Sequence, residues 1–203
     1  QLVEEAPYGF LPRPFCAVCT DLKSGREVWI KTGPLWDAIR SSIGIPGFVT
    51  PARVGEQWLV DGGLVNPVPV SLCRAMGAEI IIAVNLNSDI VGKHFSGTKS
   101  AKYEPKEASA EAKLLDKLAM RLKDRVKSGT PGLLDVLASS INIMQDRITA
   151  SRLADDPPDV LITPQLATIG MLEFDRAVEA IKEGRAAVRR VVARLEEVVK
   201  GNP

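Results

Sequence analysis

One histidine, three cysteines and no apolar run longer than Ile80 to Val84 are what this 203-residue chain has least of. A membrane-spanning helix needs roughly 20 consecutive apolar residues, so none is expected. The chain opens on Gln1, without the charged-then-apolar pattern of a secretory leader. A start without Met suggests that an upstream segment has been removed. His94 sits beside Lys93 in a polar stretch and reads as an exposed loop residue. A Ser–His–Asp triad therefore has no good histidine candidate here. Cys16, Cys19 and Cys73 cannot all pair within the chain, and the odd count favours a reducing, cytoplasmic setting. Cys16 and Cys19 form a C-x-x-C, but it lies in the extended run from Phe15 to Thr20. Strand positions three apart point to opposite faces, and the second ligand pair of a zinc site is absent. Two small buried strand residues are expected, with no metal and no cofactor.

Excess charge of one sign is also missing: 26 basic against 25 acidic residues give a net charge of +1. That balance gives no reason to expect a nucleic-acid partner. What the chain does have is a globular composition, 45% hydrophobic and 25% charged, long enough to bury roughly 70% of its unfolded surface in one domain.

Along the chain, Phe15–Thr20 and Arg26–Thr32 read as a hairpin around the turn at Asp21 to Gly25. A short helix is expected from Pro34 to about Ile43, with Leu35, Ala38, Ile39 and Ser42 inward, ended by Gly44 and Pro46. The strand Gln57–Val60 delivers Asp61-Gly62-Gly63. A helix from Asn66 to Met76 closes on Gly77. Glu79–Leu86, apolar on both faces, has the look of a central parallel strand. From Ser88 to Ala110 the chain is polar and lysine-rich, the composition of a poorly ordered insert. Two amphipathic helices follow, Glu111–Lys127 on Leu115, Leu118, Leu122 and Val126, and Leu133–Arg152 on Leu134, Leu137, Ile141, Met144 and Ile148. Helices of this kind usually pack on a core; the functional alternative is a cap over a pocket or a face that touches a bilayer. A strand at Asp159–Thr163 and a helix at Phe174–Val199, striped by Phe174, Val178, Ile181, Val188, Val192 and Leu195, complete the chain. Strands alternating with helices argue for an α/β layered fold with a largely parallel sheet.

Leu59-Val60-Asp61-Gly62-Gly63 has two explanations on local chemistry. It is a tight turn, since Asp-Gly and Gly-Gly are favoured where the backbone needs positive φ. Or it is a functional carboxylate at the end of a buried strand, with glycines that let backbone approach a reacting centre. The order of the neighbouring segments favours the second. Phe15 to Gly25, Gly33 to Ser42, Ile45-Pro46-Gly47, Leu59 to Pro69, Met76-Gly77-Ala78 and Ile80 to Asn85 together resemble the C-terminal half of the bacterial patatin-like phospholipase family. Asp159 to Pro164 and Phe174 to Arg185 look like that family's final strand and helix. The likeness covers most of the chain apart from about residues 88–154, a variable polar and helical insert.

This resemblance implies a patatin-like layered α/β fold, incomplete at the N-terminus, and a serine hydrolase that cleaves lipid or other acyl esters through a Ser–Asp dyad. The aspartate of the D-G-[GA] motif is matched by Asp61, followed by Gly62 and Gly63. The serine of the G-x-S-x-G elbow is matched by nothing: His94-Phe95-Ser96-Gly97 and Lys127-Ser128-Gly129 lack the first glycine, and no glycine-rich oxyanion loop is present. Ser41 and Ser42 read as packing or capping residues. The chain by itself is therefore expected to be inactive. Peripheral membrane contact and self-association stay open, and a non-catalytic interaction or regulatory module that kept the fold is the rival reading.

Overall fold

A computed structural model describes residues 11–47, 49–88, 133–169 and 173–201. The expected insert and the helix at Glu111–Lys127 lie outside the described residues, apart from the insert's first residue and the second helix.

The hairpin forms as the turn chemistry directs. β1 (Ala17–Asp21) and β2 (Glu27–Ile30) pair antiparallel, with Val18 opposite Trp29. Asp21 holds the turn through a 2.6 Å bond from Ser24 Oγ and a 3.2 Å bond from Lys23 N–H, which lower its pKa. α1 (Leu35–Ser42) buries Leu35, Ala38 and Ser41. β3 (Ala52–Val54) and β4 (Gln57–Asp61) complete an antiparallel sheet in the order β2-β1-β4-β3. Leu59 and Val60 are nearly inaccessible within it.

α2 is shorter than expected, Val70–Ala75. Pro67 and Pro69 cannot donate backbone hydrogen bonds and disfavour helical geometry in the residues before them, which pushes the start back. Beyond Gly77, whose φ of 86° ends the helix as anticipated, β5 (Ile82–Val84) pairs parallel with β6 (Val160–Ile162). The molecule is thus mixed α/β. The largely parallel sheet is met by this one pair among the described residues; the larger sheet is antiparallel. Alternation of strands and helices sets connection lengths, but β3 and β4 are joined by the tight Gly55-Glu56 turn, and a tight turn reverses direction.

Two long helices follow with their faces placed differently from the sequence pattern. α3 (Leu133–Asp155) buries Asn142 and Thr149 and half-buries Gln145, while Leu137 and Met144 of the expected stripe are exposed. The inward line is polar at Asn142, Gln145 and Thr149 and ends on Leu153, which packs against the cluster of Val68, Val70, Ile81 and Ala83, while Ile141 and Ile148 of the expected stripe are half-buried. A salt bridge from Arg152 to Glu27 at 3.2 Å ties α3 to the hairpin, and Asn66 Nδ2 donates to the same Glu27 at 2.9 Å. α4 (Ala177–Lys200) carries two apolar lines about one residue apart. Ala187, Val191, Leu195 and Val198 pack against Val160 and Ile162, so Leu195 of the expected stripe does face inward, whereas Val178, Ile181, Val188 and Val192 are exposed. Ala187 decides between the lines, because a small side chain lets the helix axis come close to β6.

Candidate functional site

Asp61 is the last residue of β4, and the chain around it is gripped from three sides. Across the sheet it stands opposite Cys19 of β1. Its backbone N–H donates to Gly44 O at 3.1 Å, in the loop after α1. Thr20 Oγ1 donates to its carbonyl at 2.8 Å. Directly after it the chain enters a short 3-10 turn, Gly62–Leu64, capped by the Asp61 carboxylate, which accepts from Gly63 N–H at 2.7 Å.

The two glycines are needed for space. Positive φ is confined to Gly25, Gly33, Gly47, Gly55 and Gly77 among the described residues, so neither Gly62 nor Gly63 is required by a left-handed turn. A Cβ on Gly62 would lie 2.2 Å from Val18 O. One on Gly63 would lie 2.5 Å from Gln145 Nε2 and 3.1 Å from Asp61 Oδ1. Backbone of β1 and the polar end of Gln145 therefore pack closely around the turn that follows Asp61.

Asp61, Gly62 and Gly63 open onto a cleft of about 480 Å³ whose walls are largely apolar, including Phe15, Ile39, Ile43, Val68, Val84 and Leu86. No lysine, arginine or histidine is among the described residues that line it. Burial therefore dominates and raises the Asp61 pKa above the ordinary carboxylate value, with the Gly63 N–H pulling the other way. A raised folded-state pKa means that the folded protein holds the proton more tightly than the unfolded chain does. Stability from this group is then greatest below the unfolded pKa and falls as pH rises to the folded one. Asp61→Asn keeps an acceptor for Gly63 N–H and removes the buried charge, so it should raise the melting temperature at neutral pH. The gain should vanish in acid, where the wild-type carboxyl is already protonated; a variant that melts lower than wild type at pH 7 would contradict this.

The two serines of α1 nearest the site are hydrogen-bonded to backbone carbonyls. Ser41 Oγ donates to Asp37 O at 2.6 Å. Ser42 lines the cleft, but its hydroxyl donates to Val18 O at 2.8 Å. The three cysteines are free thiols. Cys19 is wholly inaccessible, and burial, with Asp61 nearby, pushes its pKa up to about 12. Burial also raises Cys16. Neutral thiols of this kind are poor nucleophiles and poor ligands. Among the described residues no group of three or more histidine, cysteine or acidic side chains is placed to hold a metal, and no helix is long and apolar enough to cross a membrane.

Gln145 and Asn87 also line this cleft, joined by a 2.8 Å hydrogen bond from Asn87 Nδ2 to Gln145 Oε1. Neither was anticipated. The available signal was the polar line Asn142, Gln145, Thr149 at helical spacing, running beside the apolar residues of α3.

Residues 13–74, which include Asp61 to Gly63, match the family model described as patatin-like phospholipase. An uncharacterized NTE family protein of Mycobacterium tuberculosis is 32% identical over 92% of this chain, which spans 64% of that relative. Another uncharacterized NTE family protein of the same organism is 29% identical over 94% of this chain, which spans 30% of it. The rat patatin-like phospholipase domain-containing protein 7 is 31% identical over 37% of the chain and 6% of its own length. These matches support a patatin-like family, the one that the order of motifs in the sequence resembles, and the chain spans less than two thirds of the length of each of these relatives.

Proposed function

We propose that this chain is the base-bearing part of a serine hydrolase that cleaves fatty-acyl esters of phospholipids or related lipids. Asp61 takes the proton from a serine supplied by polypeptide outside the chain. The observation that carries the reading is a half-buried carboxylate at a strand end, one oxygen held by Gly63 N–H, in a largely apolar cleft with no cation among the described residues that line it.

A serine hydroxyl is a poor nucleophile unless its proton leaves as it attacks. An aspartate in water is a weak base for that task, and taking it out of water makes it a stronger one. The Gly63 N–H holds the carboxylate in one orientation. The apolar walls suit an acyl chain, and Gly62 and Gly63 let the backbone pass close to the reacting group. Developing charge on the substrate oxygen must be met by donors outside this chain, commonly worth several kcal/mol. On this reading the chain is the C-terminal part of one patatin-like domain, with a variable insert at about residues 88–154.

The test uses a fluorophosphonate probe, which phosphonylates activated serines. The full-length protein should be labelled, and the isolated 203-residue chain should not. Labelling of the isolated chain at one of its own serines would contradict a nucleophile supplied from outside. A full-length protein left unlabelled at every pH would favour the non-catalytic module.

A further inference from the structure

Gln145 lies far from the Asp-Gly-Gly stretch in sequence and outside the residues that match the family model, yet α3 brings its side chain to the candidate base. The point that a Gly63 Cβ would occupy is 2.5 Å from Gln145 Nε2 and 3.1 Å from Asp61 Oδ1. An amide donor and a carboxylate oxygen therefore flank one small gap, which is open because residue 63 has no side chain.

The amide is aimed by a chain of hydrogen bonds. Asn85 N–H donates to Ile162 O at 2.9 Å, continuing the β5–β6 pairing. Asn85 Oδ1 accepts from Asn87 N–H at 3.0 Å, and Asn87 Nδ2 donates to Gln145 Oε1 at 2.8 Å. Asn85 is buried. With its oxygen occupied by Asn87, Gln145 turns its NH2 end toward Gly63 and Asp61. Flipping both amides would set an oxygen against the carboxylate, two acceptors with no proton between them, so the donor orientation is favoured. The last torsion of a glutamine is soft, and closing the gap costs little.

We propose that Gln145 is a positioning residue for Asp61: anchored on the parallel sheet through Asn87, its side-chain N–H donates to the carboxylate and holds it ionised and oriented to accept the serine proton. This rests on the reading of Asp61 as the base. The titratable side chains in the described cleft are Asp61 and Cys16, with Cys19 behind Asp61 on β1; α1, α3 and the β5 end contribute no charged side chain to its lining. A neutral donor beside Gly63 is then the group left to tune the carboxylate, acting against the upward shift that burial imposes there.

The experiment is the pH dependence of fluorophosphonate labelling rate in the full-length protein, for wild type, Gln145→Leu, the near-isosteric Gln145→Glu, and Asp61→Asn. A donor to the charged form lowers a carboxyl pKa, so its loss raises it. Gln145→Leu should move the acid limb to higher pH by about one unit, and Gln145→Glu should move it further, through like-charge repulsion. Above the shifted limb, Gln145→Leu should label more slowly than wild type but still at a rate that depends on Asp61, which a merely disrupted fold would not do. Labelling that depends on Asp61 but keeps the wild-type acid limb in both Gln145 variants overturns the role of Gln145 alone. Labelling indifferent to Asp61→Asn, or absent in wild type, overturns the reading of the site and Gln145 with it.

Discussion

Asp61→Asn in the full-length protein is expected to lower the rate of acyl-ester hydrolysis by roughly 10²–10⁴-fold, the usual worth of a positioned general base. The substitution is nearly isosteric. Asn Oδ1 still accepts from Gly63 N–H, the backbone bonds to Gly44 and from Thr20 do not involve the side chain, and the cleft keeps its shape. What disappears is the ability to take a proton. Because the buried charge disappears too, the variant should be both inactive and more heat-stable at neutral pH. That pairing separates a lost base from a damaged fold. Single-turnover hydrolysis of a p-nitrophenyl acyl ester, alongside thermal melting of the same samples, measures both. A loss of less than about tenfold would mean that another group accepts the proton.

Gly62→Ala should produce the largest loss of stability of any small substitution at the site. Its Cβ would lie 2.2 Å from Val18 O and 2.6 Å from Val18 C, both backbone atoms. Val18 cannot retreat freely, since β1 is held on both edges, by β2 and by β4, and Val18 O also accepts from Ser42. Overpacking of this kind costs typically about 1–3 kcal/mol, and here the upper end applies because no side chain can swing aside. For a chain of this length that is a fall in melting temperature of about 5–10 °C. Two controls sharpen the test. Gly63→Ala meets the far end of the Gln145 side chain and should destabilise less. Gly184→Ala meets nothing within 4 Å in α4 and should stabilise the helix. If Gly62→Ala melts with wild type, the close packing of the turn against β1 is not what the structure depends on.

Much of the scaffold could be read from local chemistry. The turn at Asp21 to Gly25 announces the β1–β2 hairpin, Gly33-Pro34 and Gly44 bracket α1, and Gly77 ends α2. Asp61 stands out because a strand ending in Asp-Gly-Gly recurs with the other segments in a family order, although local chemistry left its purpose open.

The features that escaped the sequence are those that depend on distant parts of the chain. Apolar lines on α4 at Val178, Ile181, Val188, Val192 and at Ala187, Val191, Leu195, Val198 are equally helical in spacing; of the expected stripe Leu195 lies on the second line, which β6 selects. On α3 the inward line is polar at Asn142, Gln145 and Thr149 because it faces the site and the hairpin, so a search for an apolar stripe selects a different face. Strand direction was legible where local signals marked it, as in the β1–β2 hairpin and the two-faced apolar run of β5, but nothing local told that β4, which ends on Asp61, would join the antiparallel sheet. Gln145 had no motif of its own, and only folding sets it beside Gly63.

The most direct measurement is a structure of the full-length protein with its fluorophosphonate adduct. The proton-acceptor account predicts that the modified serine lies outside these 203 residues and that its Oγ sits within hydrogen-bond reach of an Asp61 carboxylate oxygen, about 2.6–3.2 Å. An adduct on Ser42 or any other serine of this chain, or one held away from Asp61 with a different base against it, would contradict that account.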